Sequence, residues 1–120
     1  IDLVFLVGAC ADPYSMKAVR SGMGACFKQR IIISDRDFAV SELRSRNMPI
    51  YAAALFDDSV SISDILLKNC AVAIGNEGAG LSDEMLAACD TKIIIPMKEG
   101  NESLNASAAA AIIMWEMSKQ

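Results

Sequence analysis

Residues 73–82 of the chain read AIGNEGAGLS, and this stretch decides the fold. The apolar run of residues 71–74 leads without a spacer into three glycines within six positions, and Ser82 then begins a helix. An apolar strand, a glycine turn and a helix start, in this order, form a place where backbone N–H groups can face a ligand. The alternative is a tight connection whose glycines only supply positive φ angles.

The glycines match neither of two familiar phosphate-binding patterns. No Lys-Ser or Lys-Thr pair follows them, and the spacing of Gly75, Gly78 and Gly80 does not fit G-x-G-x-x-G. Glu77 lies inside the turn, where its carboxylate would repel a pyrophosphate. The turn is therefore expected to bind a ligand that tolerates or requires a negative neighbour.

Length and composition describe one globular domain. The chain has 120 residues, of which 53% are hydrophobic and 22% charged, values that are typical of a soluble protein and not of a disordered one. No apolar run is long enough for a membrane span, so no membrane association is expected. Ile1 is neither an initiator methionine nor followed by a basic segment, which predicts no signal peptide and indicates a piece of a longer protein.

Charge and cysteine usage exclude several classes of site. The net charge of −4 gives no support to nucleic-acid binding through bulk electrostatics. The chain has no histidine and no CxxC pair, which removes zinc sites of the usual spacing and every histidine-based triad, and no metal is expected. Each of the four cysteines lies within or beside an apolar segment, which predicts reduced, buried thiols in a cytoplasmic protein.

Apolar runs and capping residues predict strands that alternate with helices. The predicted strands are residues 2–7, 31–33, 50–55, 70–74 and 92–95, and the predicted helices are 15–22, 36–46, one that starts at 82, and 105–119. This alternation predicts an α/β fold, with a mainly parallel sheet and helices on both faces. Ligands of such sheets bind beyond the carboxyl ends of the strands. If strands 70–74 and 92–95 are neighbours, the loops that follow them share one crevice.

The last predicted helix has no polar stripe. Residues 106–114 read ASAAAAIIM, which is apolar or small around the whole circumference. A surface helix would show a polar face. We therefore expect this helix to be enclosed on most sides, either by a partner subunit or by chain wrapped around it.

Two segments together carry a resemblance to a known family. GNEGAGLS at residues 75–82, followed by IIIPMKEGNESLNASAAAAIIMWE at residues 93–116, resembles the second and third motifs of the SpoU (TrmH-like) RNA 2′-O-ribose methyltransferases of the SPOUT class. Residues 8–27, GACADPYSMKAVRSGMGACF, resemble the family segment between its first and second motifs. The resemblance covers nearly the whole chain.

The resemblance implies a fold, a cofactor and a partner. The fold would be a Rossmann-like parallel sheet whose C-terminal part is tucked into a deep trefoil knot, which would account for the apolar last helix. The cofactor would be S-adenosylmethionine, bound bent inside the knot, and the protein would be a homodimer with its active site at the subunit interface. The substrate would be RNA. We expect ribosomal RNA, with transfer RNA as the alternative.

The resemblance also assigns residues by motif position. Cofactor contacts would come from the second and third motifs: Gly75, Asn76, Gly78, Gly80, Ile95, Met97 and Leu104. Glu77, Ser103 and Asn105 would lie near the reacting ribose and the methyl donor, as the catalytic set. A structural alternative exists for each of these three: Asn105 as only a helix N-cap, Ser103 as a loop hydroxyl, and Glu77 as a carboxylate bonded to turn amides.

The chain departs from the family pattern in two places. The first motif, Asn-x-Gly followed by a functional arginine, is absent, so the residue that would activate the ribose hydroxyl is not among these 120. The third-motif loop reads Met-Lys-Glu-Gly, with its glycine one position later than usual. Lys17 and Arg20, one turn apart, are candidates for RNA phosphate contacts, with an ordinary solvated helix face as the alternative.

Two other readings stay open from the sequence. One is a knotted module that binds the cofactor and does no chemistry. The other is a plain flavodoxin-like domain used for protein interaction.

Overall fold

Strands and helices alternate along the chain, as the sequence predicts. The computed structural model describes residues 1–100 and 103–120. These residues form two units, Ile1–Glu42 and Leu43–Gln120, each with its own parallel sheet. The fold is therefore mixed α/β with parallel strands, as expected.

The N-terminal unit pairs two strands in parallel around a short helical connection. Its elements are β1 (Val4–Val7), α1 (Met16–Ser21), a 3-10 helix (Ala25–Phe27), β2 (Ile31–Ser34) and the larger part of α2 (Arg36–Ser45). The predicted caps form: Ser15 Oγ accepts the Ala18 N–H at 3.2 Å, and Asp35 Oδ1 accepts the Phe38 N–H at 2.7 Å. Each helix therefore begins at the residue whose side chain can satisfy its first free N–H groups.

The C-terminal unit is a four-stranded sheet in which every pairing is parallel. Its elements are β3 (Ile50–Ala53), β4 (Val60–Ser61), β5 (Ala71–Ile74), α3 (Asp83–Ala88), β6 (Thr91–Ile94) and α4 (Ala106–Ser118). The strands lie in the order β4-β6-β3-β5. The two-residue β4 falls in the segment that the sequence predicts to be a connection, because two residues are too few to show any alternation.

The order of the strands corrects one expectation. β5 and β6, which carry the two family motifs, are not neighbours, because β3 pairs with both of them. The burial of β3 agrees with its central position: Ile50 and Ala52, on one face, are at most 1% exposed, and Tyr51 and Ala53, on the other face, are half-buried.

The core of this unit forms between the sheet, the connection after β4 and the end of α4. Ile62, Leu67, Cys70 and Ile93 make one buried cluster, and Met117 of α4 packs against it. The Gln120 side chain accepts the Leu67 N–H at 2.5 Å, which ties the C-terminus to the same cluster.

The last helix is far less enclosed within the chain than its composition predicts. Ile113 is its only buried residue, while Ile112 is 38%, Met114 43% and Trp115 67% exposed. The described residues of the chain therefore do not enclose α4 on most sides, and enclosure by a partner subunit stays a prediction.

The prediction of four buried thiols is also wrong. All four cysteines are free, but only Cys70 is buried, and Cys10 is exposed. An apolar neighbourhood in sequence does not bury Cys10, because it lies in the turn region after β1. In the described part of the chain, no helix combines the length and apolar character needed to cross a bilayer.

Candidate functional site

The glycine turn after β5 is closed by main-chain hydrogen bonds. Asn76 and Gly80 form an antiparallel bridge, in which the Gly80 N–H donates to Asn76 O at 2.8 Å and the Asn76 N–H donates to Gly80 O at 3.2 Å. The Asn76 side chain fills the interior of the turn, where Oδ1 accepts the N–H groups of Gly78 at 2.7 Å and Ala79 at 3.2 Å. Asn76 is therefore the residue that bonds the turn amides, a role that the sequence alone leaves open for Glu77.

The three glycines of the turn serve different purposes. A Cβ on Gly75 would lie 2.3 Å from Gly80 C and 2.5 Å from Leu81 N, so the crossing of two backbones requires glycine there. Gly80 has a φ of +66°, which favours glycine, and nothing lies within 4 Å of where its Cβ would be. A Cβ on Gly78 would meet only Asn76 Oδ1, at 3.4 Å, and its φ is not in the left-handed region. A side chain at Gly78 would therefore not force a strained φ.

The two motif segments meet although their strands are separated by β3. Asn105 Nδ2 donates a hydrogen bond of 3.1 Å to Glu77 Oε1, which joins the glycine turn to the start of α4. Residues 28 positions apart therefore share one place at the carboxyl edge of the sheet, where parallel sheets bind ligands. The convergence that the sequence predicts for neighbouring strands is achieved here by a side-chain bridge.

Both ends of the Asn105 amide are used. Its Oδ1 accepts the Ser107 N–H at 2.9 Å, the Ser107 hydroxyl at 2.7 Å and, more weakly, the Ala108 N–H at 3.4 Å. This pattern is an N-cap for α4. It also fixes which end of the amide faces Glu77, since only Nδ2 can donate. Asn105 is thus both the helix cap and the bridge, and the two interpretations of this residue are compatible.

The rest of the predicted site follows β6. Ile95 is half-buried against the core cluster, Met97 is half-buried, and Leu104 is 37% exposed. Ser103 is exposed. Residues 101 and 102, which belong to the third-motif loop, lie outside the described residues. The structure thus places Ile95 and Met97 on the carboxyl side of β6 and Leu104 directly before the bridging Asn105.

The main chain of these segments is available to a ligand. Within the described hydrogen bonds, the backbone groups of Gly75, Met97 and Leu104 have no partner. Backbone polar groups seldom stay without a partner unless solvent or a ligand satisfies them. Glycines without side chains and the carboxylate of Glu77, which bonds Asn105, fit a ligand that carries positive charge, and they do not suit a polyphosphate.

An ion pair at the opposite edge of the sheet is not part of this site. Asp90, just before β6, accepts from Arg44 Nη1 at 2.8 Å and from the Ile50 N–H at 2.7 Å, and Arg44 Nη2 donates to Ala88 O at 2.7 Å. The hydrogen bond from Arg44 lowers the pKa of Asp90, with the Ile50 N–H as the next cause, and the same bond raises the pKa of Arg44. A concavity of about 290 Å³ opens beside this pair.

Sequence reasoning did not identify this pair, because its two members are 46 positions apart. Its partners are the amino-end backbone of β3 and the end of α3. We therefore interpret this ion pair as one that stabilises the sheet.

The predicted RNA contacts lie in the N-terminal unit. Lys17 and Arg20 are both exposed on α1 and point toward no carboxylate among the described residues. A second concavity, of about 240 Å³, is lined in the same unit by residues on both sides of Cys10 and by Ile33 of β2. Among the described residues, no cluster of three or more potential metal ligands occurs.

Comparison with known proteins finds matches to RNA methyltransferases. The model of the SpoU rRNA Methylase family matches residues 1–115. A 23S rRNA (guanosine(2553)-2′-O)-methyltransferase RlmP of Bacillus subtilis is 29% identical over 117 residues, which are 98% of this chain and 47% of that protein. A tRNA (guanosine(18)-2′-O)-methyltransferase of Escherichia coli is 37% identical over 83 residues, 68% of this chain and 36% of that protein.

A solved structure gives the same result in three dimensions. The SpoU methyltransferase AviRb from Streptomyces viridochromogenes, in complex with the cofactor AdoMet, superposes with a TM-score of 0.88 at 27% identity, over 98% of this chain and 49% of that one. The chain therefore spans about half, or less, of the length of the two curated relatives and of the AviRb structure.

Proposed function

This chain belongs to the SpoU rRNA Methylase family, and we propose that it contributes the cofactor-binding and catalytic part of an S-adenosylmethionine-dependent RNA 2′-O-ribose methyltransferase. The observation that carries the proposal is the hydrogen bond from Asn105 to Glu77, which brings the two motif segments to one place. Relatives over most of the chain are RNA 2′-O-methyltransferases by name. A structural neighbour holds AdoMet.

The residues present fit the proposed cofactor. Gly75, Asn76, Gly78 and Gly80 would line one side of it through a turn that offers backbone and little side-chain bulk. Ile95, Met97 and Leu104 would line the other side, with the half-buried side chains of Ile95 and Met97 and the more exposed one of Leu104. A nucleoside suits this mixture of apolar and main-chain polar contacts. The carboxylate of Glu77 suits a cationic sulfonium, because opposite charges attract.

When bound, the cofactor supplies an electrophilic methyl group. The protein's own task is to position a ribose hydroxyl in line with that group and to handle one proton. Asn105 holds Glu77 Oε1, so the carboxylate enters the site with one oxygen fixed. The other oxygen has no partner among the described residues and can accept a hydrogen bond. We assign Ser103, one position before Leu104, to orienting the ribose hydroxyl.

We further propose ribosomal RNA as the substrate and Lys17 and Arg20 as phosphate contacts. The match to the rRNA enzyme covers 98% of this chain, against 68% for the tRNA enzyme, although the latter is more identical. Transfer RNA is the alternative substrate. The two cations are exposed and separated by one helical turn, which allows both to reach one strand.

The exposed face of α4 supports a homodimer. Ile112, Met114 and Trp115 are all more than a third exposed, and contiguous apolar surface of this kind is typical of an interface. We propose that a second copy of the chain covers it, and that the α4 end is threaded as a deep trefoil knot. The four free cysteines support a reducing compartment, which we propose to be the cytoplasm.

Two measurements test the proposal. Titration calorimetry with S-adenosylmethionine should give one site per chain, and incubation of the whole protein with ribosomal RNA should yield ribose 2′-O-methylation. Glu77→Gln should weaken both, whereas Glu84→Gln, an exposed carboxylate in the first turn of α3, should weaken neither. Binding without methyl transfer would favour the inactive cofactor module, and no binding at all would overturn the proposal.

A further inference from the structure

A basic segment lies in the N-terminal unit of an acidic chain. Residues 13–34 contain Lys17, Arg20, Lys28 and Arg30 and not one Asp or Glu, whereas the whole chain has a net charge of −4. All four cations are exposed, and among the described residues none of them forms an ion pair. A cluster of unpaired cations that stands against the overall charge favours a polyanionic partner.

The same segment exposes two aromatic rings that are already paired. Tyr14 is 52% and Phe27 70% exposed, and their ring centroids lie 6.1 Å apart with 29° between the ring planes. The Tyr14 N–H donates to Asp12 Oδ1 at 2.9 Å, which fixes the turn before α1. Phe27 ends the 3-10 helix, and its ring lies 3.7 Å from where a Cβ of Gly24 would be. Each ring is therefore held by local structure and also open to solvent.

We infer that Tyr14 and Phe27 form a stacking platform for an unpaired RNA base, with the basic segment neutralising the flanking phosphates. Exposed aromatic rings interleaved with lysine and arginine are the combination that binds single-stranded nucleic acid, because every base has a π-face and the backbone follows the cations. In A-form duplex RNA the bases are stacked inside the helix, so they are not accessible to exposed aromatic rings. The inference rests on the proposed function for the identity of the nucleic acid as RNA.

An apolar protein partner fits this surface less well. Tyr14 and Phe27 belong to a segment that carries four exposed cations and no Asp or Glu, whereas the cores of protein interfaces are depleted of charged residues. A second copy of this chain would bring four more cations to the same place. The positive charge of the basic segment therefore favours a phosphate backbone, and the two exposed rings favour a base that is free to stack.

The test compares single-stranded with duplex RNA of the same sequence, using fluorescence anisotropy of labelled RNA with the 120-residue chain. Phe27→Ala and Tyr14→Ala should each weaken binding to single-stranded RNA roughly tenfold, toward the lower end of the range for loss of one stacked ring. Tyr14→Phe should bind like the parent. Phe38→Ala is the matched control, since Phe38 is 48% exposed in the same unit but lies beside Asp37, outside the basic segment.

Salt dependence isolates the role of the cations. Lys17→Gln and Lys28→Gln should each reduce the slope of log affinity against log salt by roughly 0.7, as expected for one phosphate contact on a single strand. The aromatic variants should leave that slope unchanged. Circular dichroism of every variant verifies that the fold is retained.

The inference and the proposed function can fail separately. Methyl transfer to RNA with no change in single-strand affinity for folded Phe27→Ala would overturn the stacking platform and leave the function intact. Stacking-dependent RNA binding by a protein that neither binds S-adenosylmethionine nor methylates RNA would overturn the function and leave the platform intact. Phe27→Ala that changes the oligomeric state and not RNA affinity would show that the rings cover a protein partner, and would overturn the inference.

Discussion

Replacing Asn105 separates the two tasks of this side chain, capping α4 and holding Glu77. Asn105→Ala removes the acceptor of the Ser107 N–H and hydroxyl, at 2.9 and 2.7 Å, together with the donor to Glu77. Loss of an asparagine N-cap destabilises a protein by about 0.5–2 kcal/mol. We expect a value near the upper end, about 1.5 kcal/mol, because two close hydrogen bonds depend on this oxygen.

Asn105→Ser keeps the cap and removes the bridge. Serine is as good an N-cap as asparagine, but its hydroxyl is too short to cap the helix and reach Glu77 as well. The unfolding free energy should therefore fall by no more than about 0.5 kcal/mol, since an exposed hydrogen bond contributes little. The affinity for S-adenosylmethionine should nevertheless fall, because the Glu77 carboxylate is no longer held.

The assay is urea unfolding followed by circular dichroism, combined with a double-mutant cycle against Glu77→Ala. We expect a coupling energy of about 0.5 kcal/mol between positions 105 and 77. Ser82→Ala is the control, since Ser82 caps α3 through the Met85 N–H at 3.2 Å and does not contact Glu77. A serine variant as unstable as the alanine variant would refute the capping argument, and a coupling energy of zero would refute the bridge.

Three further predictions follow from the same geometry. Gly75→Ala should destabilise the chain by roughly 3 kcal/mol or more, since its Cβ would lie 2.3 Å from backbone. Gly78→Val should stay folded and lose affinity for S-adenosylmethionine. Chemical denaturation measures the first effect, and calorimetry measures the second. The lowered pKa of Asp90 means that its contribution to stability is present above its ordinary value of 3.8 and is lost as the pH falls through the lower folded value. Asp90→Asn should therefore be less stable at neutral pH, and its stability should change less between about pH 5 and 2. Cys10 should react with iodoacetamide well before Cys70, whose burial also raises its pKa, and peptide mapping after brief labelling would show the opposite order if the burial were wrong.

The local features of the fold could be predicted because each depends on neighbours in sequence. Ser15, Asp35, Ser82 and Asn105 all cap helices that the sequence predicts to begin there. An N-cap bonds an N–H two or three positions further on, so the whole interaction is visible in a short stretch of sequence.

Features that depend on strand order could not be predicted in the same way. The position of β3 between β5 and β6, and the pair Arg44–Asp90, both join residues far apart in sequence. Periodicity reports which residues are buried and not which strand they face. The need for glycine at position 75 is likewise invisible in sequence, because the backbone that would clash belongs to the far side of the same turn.

The role of Asn76 is visible in the sequence only in part. An asparagine whose side chain accepts the N–H two residues on is a common turn device, and its signal, Asn-x-Gly, stands in the sequence at residues 76–78. Because Asn76 occupies the turn amides, the carboxylate of Glu77 has no amide partner in the turn and can point to Asn105. The roles of Asn76 and Glu77 therefore follow from which of the two side chains accepts the turn N–H groups.

This arrangement has a consequence for how the site tolerates change. Among the described residues, the site has no histidine, no metal cluster and only one bridging carboxylate, so its chemistry depends on where two backbone segments lie. The crossing at Gly75 fixes one segment, and the cap at Asn105 fixes the other. Since a single side-chain bond joins them, a change that moves the start of α4 should displace Glu77 without touching the glycine turn. Loss of function in this domain should therefore arise from displaced backbone as readily as from loss of a reacting group.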